Sequence, residues 1–324
     1  MVKNDLTILF GGDAGQGIQS SGYGLCQALG RSGLHVFGRQ DYRSQIRGGH
    51  NFHEIRIKDE EVLTHKGEAD LLIALTEETI EKHLGEMNEG GGVVYEESFD
   101  VDKDALADRG VTPFPVPLKA MAKEEGGAEI MANTAAIGLA AGLTDFDLGY
   151  IEEVIRENFK KAGEKVVQNN LDVARAGYEY AGNYDRGFDY QLEAIPDAPD
   201  RMIMDGNEAF VLGAIAGGCN FISAYPMTPS TSIFEGLTKY ASEYEIVTKQ
   251  TESELAAINM AIGAYFTGAR AMVSTSGGGF SLMTEALGLA GMSETPVVIA
   301  EVQRPGPSTG LPTRTEQADL LFTI

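Results

Sequence analysis

Two cysteines, Cys26 and Cys219, are all the thiols in a chain of 324 residues. They lie far apart, each in an apolar segment. Iron–sulfur clusters are generally held by four thiolates, and structural zinc sites by four ligands. The chain therefore has too few cysteines to ligate a cluster alone, and two buried, reduced thiols are expected. Histidine does not make up the deficit, because His35, His50, His53, His65 and His83 all fall in the first third. His50 and His53, in "GGHNFHEIRI", stand at strand-like spacing, and alternation sends them to opposite faces. Shared metal ligation is not expected, and no metal site is assigned to this chain.

Positive charge is also scarce. Lysine and arginine total 25 against 48 acidic residues, a net charge of −23. The few cations are dispersed, with no basic stripe, which argues against nucleic-acid binding. A solvated acidic surface suited to high salt, where self-repulsion is screened, accounts for the balance. No apolar run approaches the ~20 residues of a membrane helix. The start, "MVKNDLTILF", carries no signal-peptide pattern, so cytoplasm is the expected compartment. What is present is a hydrophobic content of 43% with 40 glycines, a globular α/β composition long enough for two cores.

Along the chain, "LTILFGG", "LHVFGRQ", "NFHEIRI", "ADLLIAL" and "GGVVYEE" read as strands, and 18–31, 128–143 and 148–159 as helices. Strands alternating with helices predict a largely parallel sheet covered on both faces. From 184 to 203 the texture turns polar, aromatic and proline-bearing, and reads as a linker. The α/β pattern then restarts: helix 207–217, strand "NFISAY", helix 230–240, "EIVTKQ", helix 253–264, strand "RAMVSTS", helix 280–290 and strand "TPVVIAEVQ". The second half lacks closing elements after residue 324 and is expected to be cut short. Two α/β domains are thus predicted, 1–183 and 204–324, joined by 184–203.

Three stretches of this second half attract chemistry. In "ISAYPMTPSTSIFE" two prolines bracket Thr228. Each fixes its own φ and restricts its predecessor, so the turn is rigid and holds a hydroxyl at a strand end; a packing turn is the plainer alternative. In "QTESELAAINMAIGA", Glu252 and Glu254 precede an apolar helix. The helix dipole alone favours acids there, but the apolar face that follows can carry one carboxylate into an interface. In such a site a carboxyl can share a proton with a heterocycle nitrogen. In "VQRPGPSTGLPTRTEQ", Arg304 ends a strand before hydroxyls at Ser308, Thr309 and Thr313. A guanidinium on rigid backbone suits a bidentate grip on a carboxylate; a surface arginine would look the same. The earlier loop "GGDAGQGI" reverses the dinucleotide fingerprint, so a tight turn explains it at least as well as an anion site.

Together, "YPMTPST", "ESELAAINMAIGA", "STSGGGFSLMTEALGLAGMSETPVVIAEVQRPGPSTGLPTRTEQADL", "GGDAGQGI" and "SQIRGGHNFHEIRI" resemble the alpha subunit of 2-oxoacid:ferredoxin oxidoreductases with a gamma domain fused in front. Met227 and Gly278 depart from the family's usual isoleucine and proline. The resemblance implies a gamma-type α/β domain followed by a pyrimidine-type thiamine diphosphate-binding domain, C-terminally incomplete. It implies oxidative decarboxylation of a 2-oxoacid, 2-oxoglutarate foremost, to an acyl-coenzyme A with reduction of ferredoxin. Thiamine diphosphate and magnesium would be shared with a beta subunit that also holds the iron–sulfur cluster, in a hetero-oligomer. Coenzyme A is the co-substrate. By matching positions, Glu254 is the acid that hydrogen-bonds the aminopyrimidine ring, with Glu252 peripheral. Thr228 orients the 2-oxoacid beside Tyr225. Arg304 and Thr313 recognise the substrate, and Arg47 meets substrate or coenzyme A. Competing implications are a non-redox thiamine decarboxylase or transketolase-like subunit, and a non-catalytic assembly module.

Overall fold

The chain divides into two units, Met1–Ile203 and Met204–Ile324, in a computed structural model that describes residues 1–41, 49–184, 188–304 and 319–324. The first unit runs β1 (Val2–Lys3), β2 (Asp5–Asp13), α1 (Ile18–Arg31), β3 (His35–Asp41), β4 (His50–Lys58), β5 (Ala69–Ala74) and α2 (Glu77–His83). It continues with β6 (Met87–Glu96), α3 (Lys103–Asp108), β7 (Thr112–Val116), α4 (Leu118–Gly126), α5 (Ala132–Leu143), α6 (Leu148–Phe159), α7 (Glu164–Tyr180) and β8 (Tyr190–Gln191). The apolar runs of β2 and β5 are buried on both sides, as central strands are. They lie within a six-stranded sheet of order β3-β4-β2-β5-β6-β7. Ile8, Phe10, Ile55 and Ile57 face Leu29, Leu139 and Leu171 of the long helices. Leu9, Leu72 and Val93 face Ile80 and Leu106 on the other side.

Coverage on both faces and a largely parallel sheet agree with expectation, with one strand reversed. β2, β5, β6 and β7 are parallel, whereas β4 runs antiparallel to both β2 and β3. The connection 42–49 is shorter than the dozen or so residues that a parallel crossover requires, so β3 and β4 pair as a hairpin. His50 and His53 do take opposite faces. His50 Nε2 lies 2.7 Å from His83 Nε2, and His53 Nε2 lies 4.0 Å from Cys26 Sγ. Burial pushes the Cys26 thiol up to about 12 and the His53 imidazole down to about 4, so both are neutral packing groups. The "GGDAGQGI" loop is a tight turn into α1: Gly15 and Gly17 have φ of 100° and 76°, the left-handed region that glycine enters at least cost.

The segment read as a linker behaves differently. Its described residues from Phe188 onward pack on the first unit, with β8 parallel to β1 and the Leu192 and Ile195 N–H groups donating to Thr144 and Ser32 carbonyls at 2.8 and 2.7 Å. Phe188, Tyr190 and Leu192 alternate, which is the strand signal that the surrounding polarity obscured.

The second unit contains α8 (Gly206–Ala216), β9 (Phe221–Ala224), α9 (Thr231–Lys239), β10 (Val247–Gln250), α10 (Glu254–Phe266), β11 (Ala271–Thr275), α11 (Gly277–Met292), β12 (Val298–Glu301) and α12 (Asp319–Thr323). Its sheet is wholly parallel, in the order β10-β9-β11-β12. Val211, Ile233 and Leu237 from α8 and α9 cover the face of Ile222, Met272 and Ala300. Ala257, Ile258, Met283 and Ala286 from α10 and α11 cover the face of Val273 and Ile299. The chain moves outward from β9 to β10, crosses back to β11, and then moves outward to β12. The direction therefore reverses between β9 and β11. In open α/β sheets, ligands bind at the carboxyl ends of the strands beside such a reversal.

Candidate functional site

The carboxyl ends of four parallel strands deliver Tyr225–Thr228, Thr251–Glu254, Ser276–Gly279 and Val302–Arg304 to one edge of this sheet. The first of these is the proline-bracketed turn. Ser230 is buried and its hydroxyl donates to Met227 O at 2.8 Å, while Asn207 Nδ2 of α8 donates to Pro229 O at 2.9 Å. Thr228 is exposed between these fastenings, and its own carbonyl accepts from Arg304 Nη1 at 3.0 Å. The Thr228–Pro229 peptide is cis. Tyr225, at the root of the turn, is also exposed. A hydroxyl and a phenol are thus presented on backbone that is fixed from α8 and from the end of β12.

Glu254 is the opposite case. It opens α10 and is only 4% exposed. Ser253 caps the helix, accepting from Ala256 N–H at 3.2 Å, and Thr251 hydroxyl donates to Ser253 O at 2.9 Å. The Glu254 side chain lies against α11, where a Cβ on Gly279 would come within 2.9 Å of its Cγ and 3.0 Å of its Oε1. Glycine at 279 makes room for the carboxylate. Glu252 is exposed, so the two acids of "ESE" separate into one buried and one solvated. No hydrogen bond from another described residue reaches the Glu254 carboxylate. On β11 and its continuation, Ser274 Oγ and Ser276 Oγ are buried with no hydrogen-bond partner among the described residues; Ser274 shares the face of Met272, opposite the one that α10 covers. Buried polar groups are ordinarily paired. Unpaired ones at the carboxyl edge of the sheet mark an edge that can receive polar atoms from elsewhere.

Arg304 is half-buried and tied at both ends: its N–H donates to Asp319 Oδ2 at 3.0 Å, and its guanidinium holds Thr228 O. Asp319 is itself buried beside Glu301, whose carboxyl is pushed up to about 7 by burial and by the Asp319 carboxylate. Neither acid was anticipated. The available signal was Glu301 within "VVIAEV", at a position that shares a face with Ile299. Arg47 and Thr313 lie outside the described residues. In the first unit a cavity of about 590 Å³ opens between α1, α5, α6 and α7, lined largely by apolar side chains such as Leu25, Ile137 and Ile155. Two of its amides are occupied: Asn133 donates to Ser21 Oγ at 3.0 Å, and Asn170 Oδ1 accepts from Thr134 at 3.2 Å. Among the described residues, no group of three or more His, Cys, Asp or Glu is arranged to hold a metal, and no helix is long and apolar enough to cross a membrane.

Residues 7–180 match the family model described as pyruvate ferredoxin/flavodoxin oxidoreductase. The chain belongs to that family. Residues 212–324 match the thiamine diphosphate-binding domain of pyruvate flavodoxin/ferredoxin oxidoreductase. The family alpha-subunit relatives include the 2-oxoacid:ferredoxin oxidoreductase subunit alpha of Sulfolobus sp., 32% identical over 98% of this chain and 57% of that protein. The 2-oxoglutarate synthase subunit KorA of Archaeoglobus fulgidus is 50% identical over 37% of this chain and 34% of its own length. Among solved structures, a 2-oxoglutarate:ferredoxin oxidoreductase from Magnetococcus marinus with 2-oxoglutarate, coenzyme A and succinyl-CoA bound superposes with a TM-score of 0.88. It is 34% identical and matches 99% of this chain and 56% of its own. The chain thus spans a little over half the length of relatives that it matches throughout.

Proposed function

We propose that this chain supplies the gamma-type domain (1–183) and the pyrimidine-binding domain (204–324) of a 2-oxoacid:ferredoxin oxidoreductase, with 184–203 as the connection between them. The buried, unpartnered carboxylate of Glu254 at the reversal of a parallel sheet carries this reading. Its surroundings suit thiamine diphosphate: a buried carboxyl group at the carboxyl edge of the sheet, which also bears the orphan hydroxyls Ser274 and Ser276, can accept hydrogen bonds from a heterocycle. When bound, thiamine diphosphate supplies the nucleophilic carbon and electron sink for decarboxylation of a 2-oxoacid. Glu254 holds or releases a proton at the ring nitrogen. Thr228 orients the reacting end of the 2-oxoacid with Tyr225 alongside. Arg304, with Thr313, recognises the substrate carboxylate, and Arg47 meets substrate or coenzyme A.

The partner follows from what the chain has and lacks. Two cysteines leave the electron path to another subunit, and we assign the cluster, the diphosphate and magnesium to a beta subunit. Large apolar side chains exposed on the second unit's helices, among them Leu255 and Phe266 of α10 and Leu282 and Met292 of α11, are the kind of surface that a stable partner covers. The relatives named for 2-oxoglutarate support that acid as the substrate. Because ferredoxin and coenzyme A serve as co-substrates in this reading, we place the complex in the cytoplasm.

The test is ferredoxin reduction by the complex of the full chain with its beta subunit. Reduction that depends on 2-oxoglutarate, coenzyme A and thiamine diphosphate is the expected result. Release of an aldehyde without electron transfer would place the protein among non-redox thiamine enzymes. Neither turnover nor thiamine diphosphate binding would leave an assembly module.

A further inference from the structure

β11 passes into α11 through a single residue, Ser276, and the turn leaves a row of hydrogen-bonding groups without partners. The first backbone bond of α11 runs from Phe280 N–H to Ser276 O at 2.9 Å. The N–H groups of Gly277, Gly278 and Gly279 come before it, and none has an acceptor among the described residues. Ser276 stands at the N-cap, where a serine hydroxyl ordinarily accepts from one of them. It makes no such bond, is 0% exposed, and its Oγ is orphaned. The three glycines are buried as well, so bulk solvent does not replace a partner. The acids of this edge do not supply the acceptor. Glu254 lies against Gly279 without a hydrogen bond to it, and Glu301 Oε1 is itself unpaired.

The sheet order puts this helix start under the Arg304–Thr228 contact. β11 lies between β9 and β12. The bond from Arg304 Nη1, after β12, to Thr228 O, after β9, therefore spans the carboxyl end of β11. Val302 N–H donates to Thr275 O at 2.9 Å, which keeps the chain after β12 level with that end. A guanidinium and the positive pole of a 16-residue helix thus share one strand end. Three glycines leave the helix start bare, so an anion can approach the backbone closely. We propose that Ser276–Gly279, with Arg304 alongside, binds the distal carboxylate of a dicarboxylic 2-oxoacid and so sets substrate preference. The chemistry selects that carboxylate. The one that leaves as carbon dioxide loses its charge, so donors fixed on it would stabilise the ground state more than the transition state. The distal one keeps its charge throughout, and binding it adds affinity without raising the barrier. A 2-oxoacid with an apolar tail would leave these donors buried and unpaired, which is how polar sites discriminate best. The choice of ligand rests on the proposed function; the unpaired helix start does not.

Two variants of the full chain, in its complex with the beta subunit, test this. Ser276→Ala deletes the orphan hydroxyl. Gly278→Pro deletes one N–H in the first turn, where proline breaks no intrahelical bond. On complex stripped of thiamine diphosphate, so that no chemistry follows, each should weaken calorimetric binding of 2-oxoglutarate by about tenfold to 10²-fold. That is the effect of one hydrogen bond to a charged group. Pyruvate, which has no distal carboxylate, should bind each variant as it binds the wild type. In turnover the same split should appear in KM, with kcat retained. Ser276→Ala should also raise the melting temperature of the ligand-free complex by a few degrees, because an unpaired buried hydroxyl destabilises the fold; a purely structural hydroxyl would lower it. Unchanged 2-oxoglutarate affinity in both variants, an equal loss for pyruvate, or a loss of thiamine diphosphate affinity instead overturns the proposal, while wild-type turnover keeps the proposed function standing. A wild-type complex that neither binds nor turns over 2-oxoglutarate overturns both.

Discussion

Gly279→Ala tests whether the position of the Glu254 carboxylate matters. An added Cβ would lie 2.1 Å from Thr275 Oγ1, 2.9 Å from Glu254 Cγ and 3.0 Å from Glu254 Oε1. Ordinary packing contacts begin at about 3.5 Å, so Thr275 must rotate and Glu254 must retreat by about half an ångström. Overpacking of this kind costs about 1–3 kcal/mol, whereas alanine gains about 1 kcal/mol over glycine within a helix. The net loss of stability is therefore about 0–2 kcal/mol, and the variant should fold. Reacting groups must be held to within about 0.5 Å, and displacement by an ångström can cost about 10²-fold. A fall in kcat of roughly tenfold to 10²-fold is expected, with a melting temperature only a few degrees lower. Gly288→Ala, on the same helix but with open space at its Cβ, is the control: slightly stabilised, with unchanged turnover. Melting curves and kcat of the reconstituted complex decide it. Wild-type kcat in Gly279→Ala would mean that Glu254 is a structural acid whose exact placement is irrelevant to turnover.

Three further outcomes are expected. Glu254→Gln should lower kcat by roughly 10²–10⁴-fold, and Glu252→Gln should change it little, since Glu252 is exposed; equal losses would assign the wrong carboxylate. Thr228→Ala should reduce kcat more than it raises KM, with much of the activity recovered in Thr228→Ser. Arg304→Lys should chiefly raise KM, more for 2-oxoglutarate than for pyruvate if the guanidinium meets the distal carboxylate; Michaelis curves on both acids check this. Cys26, raised to about 12 by burial, should resist thiol reagents at about pH 8 in the folded chain and react only after denaturation, as thiolate chemistry requires. Rapid modification of Cys26 in the native protein, followed by mass spectrometry, would contradict its burial.

The second unit was largely legible because its elements state themselves locally. "NFISAY", "RAMVSTS" and "TPVVIAEVQ" are short apolar runs between helices, and β9, β11 and β12 lie inside them. Ser253 before Glu254 is a helix start with a cap. The first unit was less legible where long-range pairing overrides local pattern. Nothing within "LHVFGRQ" or "NFHEIRI" states that the two strands run in opposite directions; the length of their connection does. The segment from Phe188 to Leu192 joins β1, nearly the whole unit away in sequence, and no local periodicity predicts that partner. At the site, Glu254, Thr228 and Arg304 carry their own signals, a helix start, a proline bracket and a strand end. Glu301 and Asp319 do not, because they stand 18 residues apart in the sequence and no local pattern links them.

The strongest internal support for the location of the site is a contrast in how the two units treat buried polar groups. Asp70, deep in the first unit, accepts from Thr7 N–H at 2.8 Å, Asn88 Nδ2 at 2.7 Å and Tyr190 hydroxyl at 2.9 Å. The orphans of that unit, Thr7 Oγ1 and His53 Nδ1, are single atoms on separate strands. In the second unit Ser274 Oγ, Ser276 Oγ and Glu301 Oε1 are orphaned at the carboxyl ends of two adjacent strands, the edge of the sheet that also bears an unpartnered Glu254. Each unsatisfied group costs about 1–3 kcal/mol, and a carboxylate more. Such a penalty, concentrated at one edge of an otherwise consistent sheet, has no structural return. Proteins break their own packing rules chiefly where they bind or react. A ligand that supplies hydrogen-bonding atoms at that edge would remove the penalty, so the isolated fold is poised to gain stability from the cofactor that its Glu254 is proposed to hold.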